Sequence, residues 1–237
     1  MNILFDADGL LLIHGDACEV QPLLGTVFDA VISDPPWGSP AWADDAAPED
    51  FLLGNASPAD LLARIALDWP RLASRVVVIL GIDTDPRILT AIPASMPYLR
   101  TVWLRRTPPT FRGRIMRQAD VAHVFGPANP GPGSGFKVFA GEIQTASLGR
   151  RLWESSHPCP RSLNHMERLV TDYSQPGGSV LDPFSGSGTT AVACYRTGRR
   201  CTAIELDETH ARESADRMRF ETGQRRQFAF LAHDAKP

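Results

Sequence analysis

The 237-residue chain has few cysteines and no long apolar segment. Its four cysteines form no Cys-x-x-Cys pair, so the sequence predicts reduced thiols and neither a zinc site nor a disulfide framework. The longest aliphatic run, residues 76–80, is far too short to cross a bilayer. The first residues carry Asp where a signal peptide would carry basic residues. These absences predict a cytoplasmic protein without a structural metal.

Lysine is nearly absent, and the first quarter of the chain has no basic residue of either kind. Residues 1–60 hold eleven acidic residues, whereas residues 100–151 hold nine basic residues against two acidic ones. The small net charge of −3 therefore hides a strongly basic middle region, in which nearly every basic residue is Arg. Arg forms bidentate hydrogen bonds to phosphate and guanine, so this region is a candidate nucleic-acid surface. An Arg bias can equally reflect genome composition.

Short apolar runs alternate with helical patterns along the chain, which is typical of an α/β fold with a largely parallel sheet. The balance of 43% hydrophobic and 22% charged residues suits a single globular domain. Residues 105–118 are interpreted as irregular, 126–135 as a Gly/Pro-rich linker and 227–231 as a last short strand. We expect one domain over residues 1–237, with a basic recognition and linker insertion at about 105–150.

Four acidic residues each follow an apolar run directly. Open parallel sheets bind ligands at the carboxyl ends of their strands. One acid after a strand is routine in a loop, but four in one α/β domain predict a shared crevice. The four residues are Asp16, Asp34, Asp182 and Glu205.

The segment Asp34-Pro35-Pro36-Trp37 closes one of these predicted strands. Each proline fixes its φ, lacks an N–H and restricts the residue before it, so the backbone is stiff and its carbonyl oxygens point in set directions. A carboxylate, a carbonyl oxygen and a flat indole together suit a planar base with an exocyclic amine. Two acceptors on the amine hydrogens would make the nitrogen a better nucleophile. A rigid structural turn with a core Trp would show the same pattern.

A Gly-rich segment, residues 182–190, lies between a predicted strand and a predicted helix. Its glycines let a ligand approach the backbone closely, and the helix N-terminus offers N–H groups. Glu205 ends the next strand, where an acid commonly receives ribose hydroxyls. The spacing Gly-Ser-Gly-Thr-Thr matches neither the dinucleotide fingerprint nor a P-loop.

The two segments together resemble motif IV and motif I of the amino-methyltransferases that use S-adenosyl-L-methionine (SAM). Their order, with Asp-Pro-Pro-Trp first, is similar to that of the circularly permuted β group of DNA adenine-N6 and cytosine-N4 methyltransferases. Residues 157–161, His-Pro-Cys-Pro-Arg, resemble the family's motif X, in which His-Pro-x-x-Lys-Pro is usual; Arg161 and Ser162 depart from that pattern. The resemblance covers nearly the whole chain and implies a Rossmann-like SAM methyltransferase sheet.

The resemblance also implies roles for individual residues. Asp34 and the Pro35 carbonyl, beside Pro36, would accept the hydrogens of the target amine, and Trp37 would stack on the extruded base. Glu205 would hold the ribose of SAM, and Asp16 would lie near its adenine. The methionine part of SAM would be bound by Asp182, Pro183, Phe184, Ser185, Gly186, Ser187, Gly188 and Thr189, with His157 closing the pocket.

Duplex DNA is the partner that the resemblance implies, with the target base flipped out because it cannot be methylated within the stack. Phosphate contacts from the basic middle region would supply affinity, and base contacts would supply specificity. The short chain leaves little room for a separate recognition domain. This favours a compact enzyme of phage or solitary type without a partner nuclease, in which homodimerisation would enlarge the DNA footprint. Restriction protection and regulation are both compatible with the sequence as roles. The arginines concerned are Arg105, Arg106, Arg112, Arg114 and Arg117.

The sequence favours adenine N6 as the target, with three alternatives. The first is cytosine N4, although family members acting there more often carry Ser-Pro-Pro-Tyr. The second is an RNA adenine, because Asp-Pro-Pro-Trp also occurs in RNA adenine methyltransferases. The third is a non-catalytic module that binds SAM and nucleic acid, against which the intact Asp34 and Gly-rich segment weigh.

Overall fold

A computed structural model describes residues 1–36, 57–112, 114–127, 138–145 and 161–234, apart from the side chains of Arg112 and residues 224–234. The strands in these ranges are β1 (Asn2–Ala7), β2 (Leu10–His14), β3 (Phe28–Ser33), β4 (Ala73–Gly81), β5 (Tyr98–Arg112), β6 (Ile115–Phe125), β7 (Glu142–Gln144), β8 (Ser179–Asp182) and β9 (Arg200–Glu205). The α-helices are α1 (Ala17–Val20), α2 (Pro58–Ala66), α3 (Trp69–Leu72), α4 (Leu163–Tyr173), α5 (Thr189–Arg196) and α6 (Glu208–Asp234).

The described strands form one sheet in the order β1-β2-β9-β8-β3-β4-β6-β5-β7. Its five central strands, β2, β9, β8, β3 and β4, run parallel, while β1 and β6 are antiparallel to their neighbours. This topology confirms the predicted α/β fold with a largely parallel sheet. It also places the carboxyl ends of the five central strands at one edge.

Helices cover both faces of the sheet, and the residues of β4 show why. Val77 and Ile79 pack into one buried cluster, together with residues of α4, α5 and α6. Val76, Val78 and Leu80 pack into a second cluster, together with residues of α1, α2 and α3. A continuous apolar run is therefore required, because a central parallel strand is buried on both faces. No helix in the described ranges is long and apolar enough to span a membrane.

Local signals place several of the helices as predicted. Ser57 caps α2 by accepting the Asp60 N–H at 3.1 Å, Asp60 reaches back to the Ser57 N–H, and Pro58 takes the first helical position. Such a cap contributes about 1 kcal/mol to helix stability. Ser162 precedes α4, and a Gly-rich turn precedes α5, as the sequence indicates.

Two predictions about the edges of the fold are wrong. Residues 105–118 are largely the extended end of a long β5–β6 hairpin, whose register shifts between Arg105 and Thr110. Pro108 and Pro109 lie within that shift, because proline cannot donate to a regular ladder. Residues 227–231 continue α6, because a short apolar run cannot be assigned to strand or helix from its periodicity alone. Most of the predicted linker, 128–135, lies outside the described residues.

Candidate active site

The four carboxylates that the sequence singled out lie along one edge of the sheet. The strands β2, β9, β8 and β3 are neighbours in that order and run parallel, so their carboxyl ends meet at the same edge. This arrangement brings together the residues predicted to share a crevice. Asp16 follows β2, Glu205 ends β9, Asp182 ends β8 and Asp34 follows β3.

Asp182 is the most buried acid of this row, with 2% of its surface exposed. Its Oδ1 accepts a hydrogen bond from the Phe184 backbone N–H at 3.0 Å. Burial raises the pKa of Asp182 to about 7, against the hydrogen bonds from Thr190 and Phe184. The negative charges of Asp34 and Glu205 raise this pKa further. Asp182 therefore fixes the start of the Gly-rich segment, and its pKa depends on the charges of Asp34 and Glu205.

The Gly-rich segment makes the predicted turn between β8 and α5. Gly186 and Gly188 have φ angles of +49° and +73°, a region that L side chains rarely adopt. A Cβ on Gly188 would come within 2.4 Å of Ser214 Oγ on α6. Ser185 Oγ lies 3.3 Å from the same hydroxyl oxygen. The turn therefore rests directly on α6, with no space for a larger residue at Gly188.

A buried arginine on α6 binds this turn from the side that faces α6. Arg217 donates to the Ser187 carbonyl oxygen at 2.8 Å and to Thr189 Oγ1 at 2.9 Å. The hydroxyl groups of Ser187 and Thr189 are 3.1 Å apart. The side chains of Ser185, Ser187 and Thr189, all predicted to bind a cofactor, are thus engaged on the α6 side of the turn. Sequence reasoning missed Arg217, because an arginine on a helix is normally a surface residue.

Glu205 joins the end of β9 to the same turn. Its carboxylate accepts backbone hydrogen bonds from Gly186 at 2.6 Å, Leu206 at 3.0 Å and Asp207 at 2.9 Å. Burial raises the pKa of Glu205, and these backbone hydrogen bonds oppose that rise. Because a carboxylate has about four acceptor positions, three N–H donors do not exhaust it. Glu205 is therefore held in place and can still accept a hydroxyl.

Asp16 completes the row on the β2 side. Its Oδ1 accepts the Cys18 backbone N–H at 2.8 Å and so caps the short helix α1. The preceding residue, Gly15, donates its N–H to the Glu205 carbonyl oxygen at 2.9 Å. The ends of β2 and β9 are therefore tied together at the predicted crevice.

Asp34 has a partner that sequence reasoning did not assign to it. Arg161 donates from Nε to Asp34 Oδ2 at 2.5 Å and from Nη2 to Asp34 Oδ1 at 2.6 Å. Through Nη1, Arg161 also donates to the carboxylate of Asp120 on β6, which accepts a second hydrogen bond from Arg106 on β5. The side chains of Arg161 and Asp120 are only 9% and 5% exposed. A largely buried network thus connects Asp34 to the hairpin.

The remaining predicted residues of the amine site are only partly described. Pro35 is buried and Pro36 is half-buried. Trp37 and His157 lie outside the described residues. Among the described residues, no group of three or more His, Cys, Asp or Glu is placed to hold a metal ion.

The predicted DNA-binding arginines lie on the hairpin, beyond the edge that carries the acids. Leu104 of β5 and Gly81 of β4 both pair with Asp120 of β6, and Gly81 is the last residue of β4. The hairpin residues between 104 and 120 therefore extend past the carboxyl ends of the parallel strands.

Intramolecular ion pairs engage three of these five arginines. Arg114 is exposed at the hairpin turn, and the side chain of Arg112 is not described. The paired arginines are thus partly committed to the fold, which sequence reasoning did not anticipate. The pairs are Arg105 with Glu142, Arg106 with Asp120 and Arg117 with Asp83.

Parallel strands with acids at their carboxyl edge and a Gly-rich turn into α5 define a Rossmann-like α/β domain with a ligand site at that edge. A family model described as DNA methylase, for the N6/N4 methyltransferases, matches residues 98–216, just over half of the chain. The chain belongs to the N6/N4 DNA methylase family. The resemblance noted from the sequence is confirmed at the level of this family.

Individual relatives agree with this assignment. The Type II methyltransferase M.SmaI of Serratia marcescens is 38% identical over 89 residues, which are 38% of this chain and 23% of that protein. The matches to curated relatives cover only about a quarter to a third of those proteins.

Two solved structures share the fold over most of the chain. The M1.HpyAVI–SAM complex has a TM-score of 0.64 and 23% identity, over 88% of this chain and 98% of that one. The PvuII DNA methyltransferase, described as cytosine-N4-specific, has a TM-score of 0.60 and 13% identity, over 90% of this chain and 87% of that one. At such identities the likeness establishes the fold.

Proposed function

We propose that this chain is a SAM-dependent DNA methyltransferase that transfers a methyl group to the N6 amine of an adenine flipped out of duplex DNA. One observation carries the proposal. Asp34 follows β3 and the Gly-rich turn follows β8, and these strands are hydrogen-bonded neighbours. An acceptor for an amine and a turn suited to a nucleoside cofactor therefore share one edge of the sheet.

The residues along this edge fit SAM. Gly186 has no Cβ and a φ of +49°, so a ligand can approach the main chain of the turn at that residue, whereas the space beside Gly188 is taken by Ser214 of α6. Glu205 offers carboxylate oxygens for ribose hydroxyls, and Asp16 lies one strand further along for the adenine end. Phe184 and His157 are assigned to the methionine end. SAM supplies, when bound, a methyl group activated by a sulfonium sulfur.

Asp34 performs the step that prepares the amine. An aromatic amine is a poor nucleophile, because its lone pair is delocalised into the ring. A hydrogen bond from the amine to the Asp34 carboxylate, and a second to the Pro35 carbonyl oxygen, draws the nitrogen towards sp³ geometry. The carboxylate also offsets the positive charge that develops on nitrogen and accepts the proton that the amine loses. Trp37 is assigned to stacking on the base.

The β5–β6 hairpin is the part of the chain that we assign to DNA. A two-stranded ribbon fits the major groove. The hairpin exposes Arg114 at its turn, and Phe111 and Met116, which face each other across the strands, are 67% and 49% exposed. In that groove, apolar side chains of this kind can contact thymine methyl groups, while arginines contact phosphate. We retain residues 105–150 as the recognition insertion, and a homodimer remains a prediction.

Cytosine N4 is the second candidate target. The fold is shared with a cytosine-N4-specific enzyme, and the same acceptor pair would serve either exocyclic amine. The Asp at the first position of the Asp-Pro-Pro-Trp segment is what favours adenine.

The test is methyl transfer from labelled SAM to duplex oligonucleotides of varied sequence, followed by nucleoside mass spectrometry. We expect N6-methyladenine, formed about a thousandfold more slowly by the Asp34→Ala variant. N4-methylcytosine would preserve the mechanism and overturn the assigned base. Transfer only to RNA would overturn DNA as the substrate, and SAM binding without any transfer would identify a non-catalytic module.

A further inference from the structure

Arg161 connects Asp34 to a second carboxylate that is more deeply buried. Both oxygens of Asp34 accept from Arg161, through Nε at 2.5 Å and through Nη2 at 2.6 Å. The remaining terminal nitrogen, Nη1, donates to Asp120. Because the guanidinium group is planar and rigid, a bidentate pair fixes the plane of the carboxylate as well as its distance.

Asp120 holds the other end of the Arg161 guanidinium group in a fixed position. It lies within the sheet, opposite Gly81 of β4 and Leu104 of β5, and its side chain is 5% exposed. It also accepts a hydrogen bond from Arg106. Two carboxylates and two guanidinium groups thus neutralise each other. Moving Arg161 would leave buried charges with fewer partners, which is costly.

We propose that Arg161, anchored by Asp120, is the positioning residue that holds the Asp34 carboxylate in the orientation that accepts the target amine. This inference rests on the proposed role of Asp34 in methyl transfer. The Asp34 side chain is 23% exposed, so an incoming base can reach it from solvent. Arg161 acts through Asp34 and is not itself a catalytic residue.

The experiment compares Arg161→Lys, Arg161→Ala and Asp120→Asn with a matched control, Arg196→Lys. Arg196 forms a similar bidentate pair with Glu221 at the far end of α5, with distances of 2.8 Å and 3.1 Å. For each variant, the single-turnover methylation rate, the Kd for SAM, the Kd for duplex DNA and the melting temperature are measured.

We expect the single-turnover rate to fall about 100-fold for Arg161→Ala and about tenfold for Arg161→Lys, because small misplacements of a reacting group are costly. Both Kd values should change less than about twofold, since Arg161 is not assigned to either ligand. Arg196→Lys should keep the wild-type rate. A purely structural role would instead change the melting temperature, Kd values and rate together.

Asp120 provides the second test. Asp120→Asn should slow methylation about tenfold although Asp120 is not placed at the amine, and it should add little to the loss in Arg161→Ala. Arg161 variants with the wild-type rate, or a faster rate as expected for an inhibitory contact, would overturn this inference and leave the proposed function intact. A wild-type chain that binds SAM and methylates no nucleic acid would overturn both.

Discussion

The two halves of the site hold their acidic residues in different ways. On the side of β2, β9 and β8, backbone N–H groups hold the carboxylates of Asp16, Glu205 and Asp182. Most of these donors lie within two residues of the acid, and the contact between Gly186 and Glu205 spans 19 residues. This half is built from turn geometry.

On the side of β3, β4 and β6, arginine side chains hold the acids. Asp34 and Asp120 share Arg161, and Arg117 pairs with Asp83 at 2.9 Å. Asp34 and Arg161 are 127 residues apart in the chain. This half is built from contacts between distant segments, and it carries the proposed amine acceptor.

The two halves of the site should tolerate different substitutions. A backbone donor survives a change of its own side chain, provided that the turn keeps its φ and ψ angles. An arginine donor is lost with its side chain, and the carboxylates that it held then have fewer partners. The first half should therefore be sensitive to glycine substitutions, and the second half to charge substitutions.

Removal of the Asp34 carboxylate should have the largest effect. Asp34→Ala should lower the rate of methyl transfer about a thousandfold, because the amine loses its acceptor. SAM binding, measured by calorimetry, should be nearly unchanged, because the cofactor is assigned to the other half. Asp216→Ala, an exposed acid on α6, is the control. Equal loss of SAM binding and activity would show that the two halves are not separate.

Gly188→Ala should affect the half of the site in which backbone N–H groups hold the acids. The new Cβ would lie 2.4 Å from Ser214 Oγ, at a φ of +73°. Gly177 has the same φ and no atom within 4 Å of the position of a Cβ, so Gly177→Ala isolates the strain of the φ angle alone. We expect Gly188→Ala to destabilise the chain by about 1–3 kcal/mol more than Gly177→Ala in urea unfolding. It should also weaken SAM binding, whereas equal effects would contradict tight packing on α6.

Two hairpin arginines test whether the hairpin on the arginine-held side of the site binds DNA, with a smaller expected effect. Arg114 is exposed, whereas Arg105 pairs with Glu142 at 3.5 Å. Arg114→Ala should weaken binding to duplex DNA several-fold and reduce the slope of log Kd against log salt by about one. Arg105→Ala should change the slope less, since part of its charge is already compensated. The same slope for wild type and Arg114→Ala would place the DNA elsewhere.

The smallest effect concerns the pH dependence of stability. Burial raises the pKa of Asp182 to about 7 from an ordinary value of 3.8. The folded chain therefore holds this proton more tightly than the unfolded chain, and its contribution to stability falls as the pH rises from about 4 to about 7. Relative to wild type, Asp182→Asn should gain melting temperature across that interval and change no further above about pH 7. A constant difference would mean that Asp182 is ionised throughout.

Much of this molecule could be predicted from local patterns. The apolar runs indicated the parallel strands, and residues following those runs indicated the edge at which Asp16, Asp34, Asp182 and Glu205 meet. The Gly-rich segment predicted the turn before α5. Local patterns predicted the wrong secondary structure where contacts with other segments decide it. Residues 105–118 are extended because they pair as a hairpin, and residues 227–231 continue helix α6.

The α/β class, the acids that follow the strands and the Gly-rich turn could be read from the sequence, because each shows as a local pattern of residues. The family resemblance needed only such local motifs and their order along the chain. Which side chains hold those acids depends on the tertiary packing. Arg161 is 127 positions from Asp34 and 41 positions from Asp120, and it binds both. Arg217 donates to Thr189, which is 28 positions away. Such pairings depend on how strands and helices pack, and no local pattern encodes them. The orientation of the proposed catalytic carboxylate therefore belongs to the fold as a whole.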